Sequence, residues 1–109
     1  MNLEDTYHII GIDGGATNSR GALFTKTGTT LATTFDRGTN IALDGEAASK
    51  RIASMIEQLC EDAAINIEDV DAVGLGLAGA SDKDGRDMVF KVLDGLKLSR
   101  RSIIMNDAE

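Results

Sequence analysis

The chain has 109 residues, 42% hydrophobic and 27% charged, with a formal net charge of −7, which suits one domain with a core of its own. No apolar run approaches the roughly 20 residues that cross a bilayer, and the acidic balance, with no run of basic residues longer than a pair such as Arg100-Arg101, argues against nucleic acid as a partner. A single cysteine, Cys60, excludes an internal disulfide and a multi-cysteine metal site.

The opening MNLEDTYH has neither the positive start nor the apolar stretch of a signal peptide, so the cytoplasm is the expected location. Tyr7 to Asp13 is apolar and β-prone and stops at the breaker pair Gly14-Gly15, predicting a first strand. The single histidine, His8, stands at its start and reads as a structural or surface residue. Ser19 to Thr25 predicts a second strand, Ala22 and Phe24 alternating against Leu23. Lys26 to Thr29 contains Gly28 and reads as a turn, and the β-branched stretch Thr30 to Phe35 as a third strand. Such short connections imply an antiparallel meander.

Asp44 is the expected N-cap of a helix over Gly45 to Ala64. Within it Ile52, Ile56, Leu59 and Ala63 form one buried stripe, and Cys60 beside them reads as a small buried hydrophobe. Val70 to Leu77 predicts a largely apolar strand whose glycines suit close packing against a neighbour. Asp82 to Leu96 repeats the helical stripe through Val89, Leu93 and Leu96, with Ser81 or Asp82 as cap. Ser102 to Met105 predicts a last short strand that ends at Asn106-Asp107. Strand-helix-strand-helix-strand requires parallel pairing with right-handed crossovers. The expected class is α/β: a mixed five-stranded layer with an antiparallel meander on one side and flanking helices.

The chemistry concentrates in Gly11-Ile12-Asp13-Gly14-Gly15-Ala16-Thr17-Asn18-Ser19. An acidic residue ends a strand, and a glycine turn with hydroxyls returns the chain. Glycines let main-chain N–H groups approach an anion, and Thr17 or Ser19 adds a donor. Asp13 would repel phosphate but can hold magnesium or its bound water. A plain hairpin has the same composition, so this segment does not stand alone. Gly74 to Ala80 brings small residues to the end of the fourth strand, and Asn106-Asp107-Ala108 ends the fifth. Ligands of open α/β sheets sit beyond the carboxyl ends of the strands. Asp13, Gly79 and Asp107 are therefore expected on one edge.

The order DGGATN, GLAGA and NDAE resembles the BadF/BadG/BcrA/BcrD-type ATPase family, and within it the N-acetylglucosamine and glucosamine kinases of the actin, hexokinase and heat-shock-chaperone superfamily. The similarity runs over essentially the whole chain, including Gly38-Thr39-Asn40-Ile41. It implies a ribonuclease-H-like fold with strand order 3-2-1-4-5. It also implies that residues 1–109 are the N-terminal actin-like subdomain of a longer enzyme. By the resemblance, Asp13, Gly14, Gly15, Ala16, Thr17 and Asn18 bind the phosphates of ATP. Asp13 holds magnesium through water, and Asp107 takes the proton from the sugar hydroxyl. Asn40, Gly79, Ala80 and Asn106 face the sugar. Two residues depart from the pattern: Ala16 stands for the usual third glycine and Asn18 for a frequent lysine. The family varies at both places.

The implied activity is ATP-dependent phosphorylation of an amino sugar such as N-acetylglucosamine or glucosamine, with this chain alone inactive. Its implied partners are the sugar and the C-terminal half of the same protein, with a homodimer left open. Two alternatives share the fold: an ATPase that activates a 2-hydroxyacyl-CoA dehydratase or benzoyl-CoA reductase, and a sugar-sensing regulator without catalysis. The first carries cluster-ligating cysteines, which Cys60 alone cannot supply. The second commonly adds a helix-turn-helix, and none precedes Met1. A ribonuclease-H-like nuclease is disfavoured by the acidic charge.

Overall fold

A computed structural model describes residues 6–106. Asp107, the expected proton acceptor, lies outside the described residues, as do Ala108 and Glu109. The elements are β1 (His8–Gly14), β2 (Asn18–Thr25), β3 (Thr30–Arg37), α1 (Gly45–Ala63), β4 (Val70–Leu77), α2 (Lys83–Gly95) and β5 (Ser102–Asn106). The sheet has the order β3-β2-β1-β4-β5. β2 runs antiparallel to β1 and to β3, while β1, β4 and β5 are mutually parallel. The expected meander and the two crossovers are both present.

Strand alternation divides the sheet into two unlike faces. Ile10 and Ile12 of β1, Leu23 of β2, and Val73, Leu75 and Leu77 of β4 are buried together with Ile52, Met55, Ile56 and Leu59 of α1 and Val89 and Leu93 of α2. Both helices therefore lie on this one face, and they also pack on each other. Each fully buried Leu or Ile contributes about 1.5–3 kcal/mol of transfer free energy. Ala63 and Leu96, expected in the two helical stripes, are only partly buried, at the ends where the helices leave the core.

Register gives the other face row by row. Ala22, Gly11, Gly74 and Ile103 form one row across β2, β1, β4 and β5, and Arg20, Asp13, Gly76 and Met105 the next. No described helix covers these rows, so Ile103 and Met105 remain 65% and 58% exposed, and Phe35 of β3, opposite Arg20, 72%.

The helix ends follow from local chemistry. Asp44 Oδ1 accepts from the Ala47 N–H at 3.2 Å, capping α1 as expected. Ala64 closes the helix in the left-handed region (φ 57°), its N–H on the carbonyls of Cys60 and Glu61, so the last helical residue is Ala63. Of the two cap candidates for α2, Asp82 fills the role: its Oδ2 accepts from the Gly85 N–H at 2.8 Å. His8 is a structural residue. Its backbone N–H donates to Asp71 Oδ2 at 2.8 Å, and its ring Nδ1 lies 3.1 Å from the Asp69 carbonyl, joining the start of β1 to the approach to β4.

Candidate functional site

Parallel register brings Gly14, Leu77 and Asn106 side by side at the carboxyl ends of β1, β4 and β5. β2 begins at the same edge, with Asn18 opposite Arg37 of β3. The tight turn between β1 and β2 is closed by the Gly15 N–H on the Asn18 carbonyl at 2.9 Å. Ala16 and Thr17 form its exposed tip, and their N–H groups meet no acceptor among the described residues. Gly15 is required by closeness, since a Cβ there would stand 2.9 Å from the Asn18 carbonyl oxygen. Two amides without an acceptor among the described residues, at an exposed turn, suit an anion.

Three segments distant in sequence are joined at this edge. The Ala78 N–H donates to the Gly14 carbonyl at 2.8 Å, the Thr39 N–H to the Gly15 carbonyl at 3.0 Å, and the Ile41 N–H to the Ala78 carbonyl at 3.1 Å. Asn40 is held between them. Its Oδ1 accepts from the N–H groups of Ala42 and Leu43 at 3.0 and 3.3 Å, which leaves its amide hydrogens to offer. Gly79, at φ +78°, passes so close that a Cβ would lie 2.5 Å from Asn40 Oδ1 and 2.7 Å from the Ala42 nitrogen. Only glycine serves in that backbone conformation and that space.

Of the residues singled out in the sequence, the fold gathers Asp13 through Asn18, Asn40, Gly79 and Asn106 at one edge. Ala80 is there too, but its methyl group is 3% exposed and belongs to the core; its carbonyl accepts from Arg86 Nη1 at 3.0 Å. Ser19 does not serve as an anion donor. It is fully buried, and its hydroxyl is paired with Thr39 Oγ1 at 3.0 Å. The exposed hydroxyl of the turn is that of Thr17, which accepts from Asn18 Nδ2 at 3.4 Å.

Asp13 is exposed and points to the open face, across from Arg20 in the register. Both line a groove of about 840 Å³ that spreads over the sheet from Ile9 to Asn106. Arg20 itself lies over the Phe35 ring, 5.8 Å from its centroid, a cation–π distance. No group of three or more His, Cys, Asp or Glu side chains is arranged for a metal among the described residues. A magnesium ion here would rest on Asp13, water and phosphate oxygens. That donor set fits its habit of keeping several waters and few protein ligands.

Sequence reasoning missed three supporting residues. Thr39 fastens the turn, Arg86 holds Ala80, and Arg51 Nη1 donates to the Gly38 carbonyl at 2.6 Å while its Nε lies 3.6 Å from Asp36. Arg51 and Arg86 carry no signal in the sequence, because a helical arginine gives no hint of which loop its side chain reaches. Cys60 is buried as expected, and burial, followed by the nearby charges of Asp69 and Glu57, pushes its thiol pKa up. No described helix is long and apolar enough to cross a membrane.

Among solved structures, the chain is similar to a candidate N-acetylglucosamine kinase of Chromobacterium violaceum (TM-score 0.69, 21% identity, covering 93% of this chain and 35% of that one). It is also similar to one of Porphyromonas gingivalis (TM-score 0.66, 19% identity, 91% and 34%). A reductive activator for a corrinoid, iron-sulfur protein shares the fold as well (TM-score 0.55, 17% identity, 89% and 18%). At these identities the likeness establishes the fold, which is that of the actin-like ATPases and sugar kinases. The chain spans about a third of the length of the two kinase structures. No curated protein matches it. Residues 10–93, well over half of the chain, match the model of the BadF/BadG/BcrA/BcrD ATPase family, and the chain belongs to that family.

Proposed function

We propose that this chain is the N-terminal part of an ATP-dependent kinase acting on an amino sugar such as N-acetylglucosamine or glucosamine. The observation that carries the reading is the edge itself. A turn whose Ala16 and Thr17 amides meet no acceptor among the described residues is bonded through Thr39 directly to the loop that presents Asn40. An anion and a hydroxylated substrate would thus be received side by side.

In this reading the turn amides and the Thr17 hydroxyl bind phosphate oxygens, and Asn40 offers its amide hydrogens to a sugar oxygen. Asp13 holds a water of the magnesium ion, which when bound offsets the negative charge on the phosphates. Asp107 follows directly on Asn106 at the end of β5 and accepts the proton of the attacking hydroxyl. Phosphoryl transfer depends mainly on such positioning and charge stabilisation. The second wall of the cleft, the adenosine pocket and the second phosphate loop would come from the remainder of the enzyme, and a cytoplasmic location suits it.

The test uses the full-length enzyme. Asp107→Asn should lower kcat at least about 10²-fold with sugar KM little changed, and Asp13→Ala should weaken the magnesium dependence of turnover. Equal, small effects from both would refute the assignment. The 109-residue chain by itself should fold, bind Mg·ATP no more tightly than about millimolar, and phosphorylate neither sugar. Micromolar binding in calorimetry would show a more complete site.

A second reading, an ATPase that drives electron transfer, is favoured by the likeness to the reductive activator. Cys60 lies buried inside α1, so a cluster would have to be held by other cysteines. ATP hydrolysis without sugar phosphorylation, together with bound iron and sulfide in the full-length protein, would decide for it.

A further inference from the structure

We propose that Thr39 is a positioning residue that transmits occupancy of the β1–β2 turn to Asn40, so that an anion on the turn orders the substrate-facing amide. The inference rests on the reading of the turn as an ATP site and deepens it.

Thr39 touches both arms of the turn. Its N–H donates to the carbonyl of Gly15, the residue before the tip, at 3.0 Å. Its hydroxyl pairs with Ser19, the second residue of the returning strand, at 3.0 Å. It also presses on Gly14, where any Cβ would collide with Thr39 Oγ1. The side chain thus occupies the mouth of the turn, and both hydroxyl-bearing residues are fully buried. A buried hydroxyl pair resists separation, because parting it leaves two polar groups without water or a partner. The neighbouring contacts tighten the joint: a Cβ at Gly38 would stand 2.5 Å from the Ala16 carbonyl carbon and 2.9 Å from the Thr17 nitrogen. The next residue along is Asn40, whose Oδ1 is already committed to two backbone amides. When the tip closes on an anion, Thr39 has to follow the two arms, and Asn40 follows Thr39. The backbone bond to Gly15 reaches one arm only; the hydroxyl pair couples the loop to the second.

The test is amide NMR of this chain titrated with Mg·ATP to about 50 mM, far enough to follow a midpoint of millimolar order or weaker. In the wild type, amides of residues 15–18 and of residues 40–42 should shift along one binding curve. Thr39→Ser keeps a hydroxyl and should preserve both responses. The double variant Ser19→Ala/Thr39→Val removes both polar partners, an exchange that is nearly neutral for stability. It should bind with a similar midpoint at residues 15–18, while the shifts at residues 40–42 fall at least about threefold, a loss that a purely structural role would not produce. Undiminished shifts at residues 40–42 in the double variant would overturn the inference, as would a wild-type loop that stays still while the turn responds. A turn that does not respond at all would refute the ATP reading itself, and the coupling with it.

Discussion

Replacing Gly38 by alanine tests the packing of the candidate site directly. A methyl group there collides with the carbonyl oxygen of Ala16, with the Ala16 carbonyl carbon at 2.5 Å and the Thr17 nitrogen at 2.9 Å. All of these are backbone atoms, so no side-chain rotation relieves the contact. The loop cannot simply swing away, because the Gly38 carbonyl is bonded to Arg51 Nη1 at 2.6 Å and the Thr39 N–H to Gly15 at 3.0 Å. Overpacking of this kind costs about 1–3 kcal/mol, and losing one of the two hydrogen bonds about 1 kcal/mol more. The lower entropy of an unfolded chain with alanine returns about 0.4–1 kcal/mol, so a net loss of about 2 kcal/mol is expected. Gly74→Ala is the control. No atom lies within 4 Å of its would-be Cβ, and relief of glycine's entropy in a strand should stabilise by about 0.5–1 kcal/mol. Urea unfolding of both variants should show opposite shifts in midpoint at constant slope. In thermal unfolding each kcal/mol moves the Tm of a domain this size by about 4–8 °C. A Gly38→Ala variant as stable as Gly74→Ala would refute the close approach of the loop to the turn.

Other expectations follow from the caps, the thiol and the open face. Asp44→Ala removes the acceptor for the Ala47 N–H and should cost about 1 kcal/mol in urea unfolding. Burial raises the Cys60 pKa above that of the unfolded chain, so the unfolded state gives up its proton first. Stability is then full below the ordinary thiol pKa and declines as pH rises through the raised folded value. Cys60→Ala should flatten that alkaline decline, and the wild-type thiol should react with a disulfide reagent only as fast as the chain unfolds. The exposed Phe35, Ile103 and Met105 should make the isolated chain bind a dye such as ANS, and Ile103→Thr with Met105→Thr, on the edge strand and away from the Arg20–Phe35 contact, should reduce that fluorescence without lowering the urea midpoint.

The fold was legible because its signals are local and repeated. Gly14-Gly15, Gly28 and the two aspartate caps punctuate the chain, and period-two and period-3.6 stripes fill the intervals. The gathering of Asp13, Asn40, Gly79 and Asn106 at one edge follows from strand direction once the crossovers are taken as right-handed. Of the two candidate donors, Thr17 and Ser19, the sequence already disfavours Ser19: the alternation that buries Leu23 also buries Ser19, four residues earlier on the same strand face. The placement of both helices on one face was not legible, since an amphipathic stripe says that a helix is covered without saying by which side of the sheet. Nor was the role of Thr39, which depends on a contact with a hydroxyl twenty residues away.

The support of the turn also sets an order of events for folding. Asp13 to Asn18 lie at the start of the chain, yet the bond that fixes Gly14 comes from Ala78, at the end of a strand that pairs with β1 only after α1 has been traversed. Parallel pairing across so long a connection carries a loop-closure cost and is intrinsically slow. The β1–β2–β3 meander can form early from near neighbours, but its turn then lacks both the Thr39 anchor, if α1 has not docked, and the Ala78 anchor. A chain still emerging from the ribosome would hold every residue of the β1–β2 turn before it held the turn's shape. The final shape of the turn arrives late in folding, with β4, however early its residues are made.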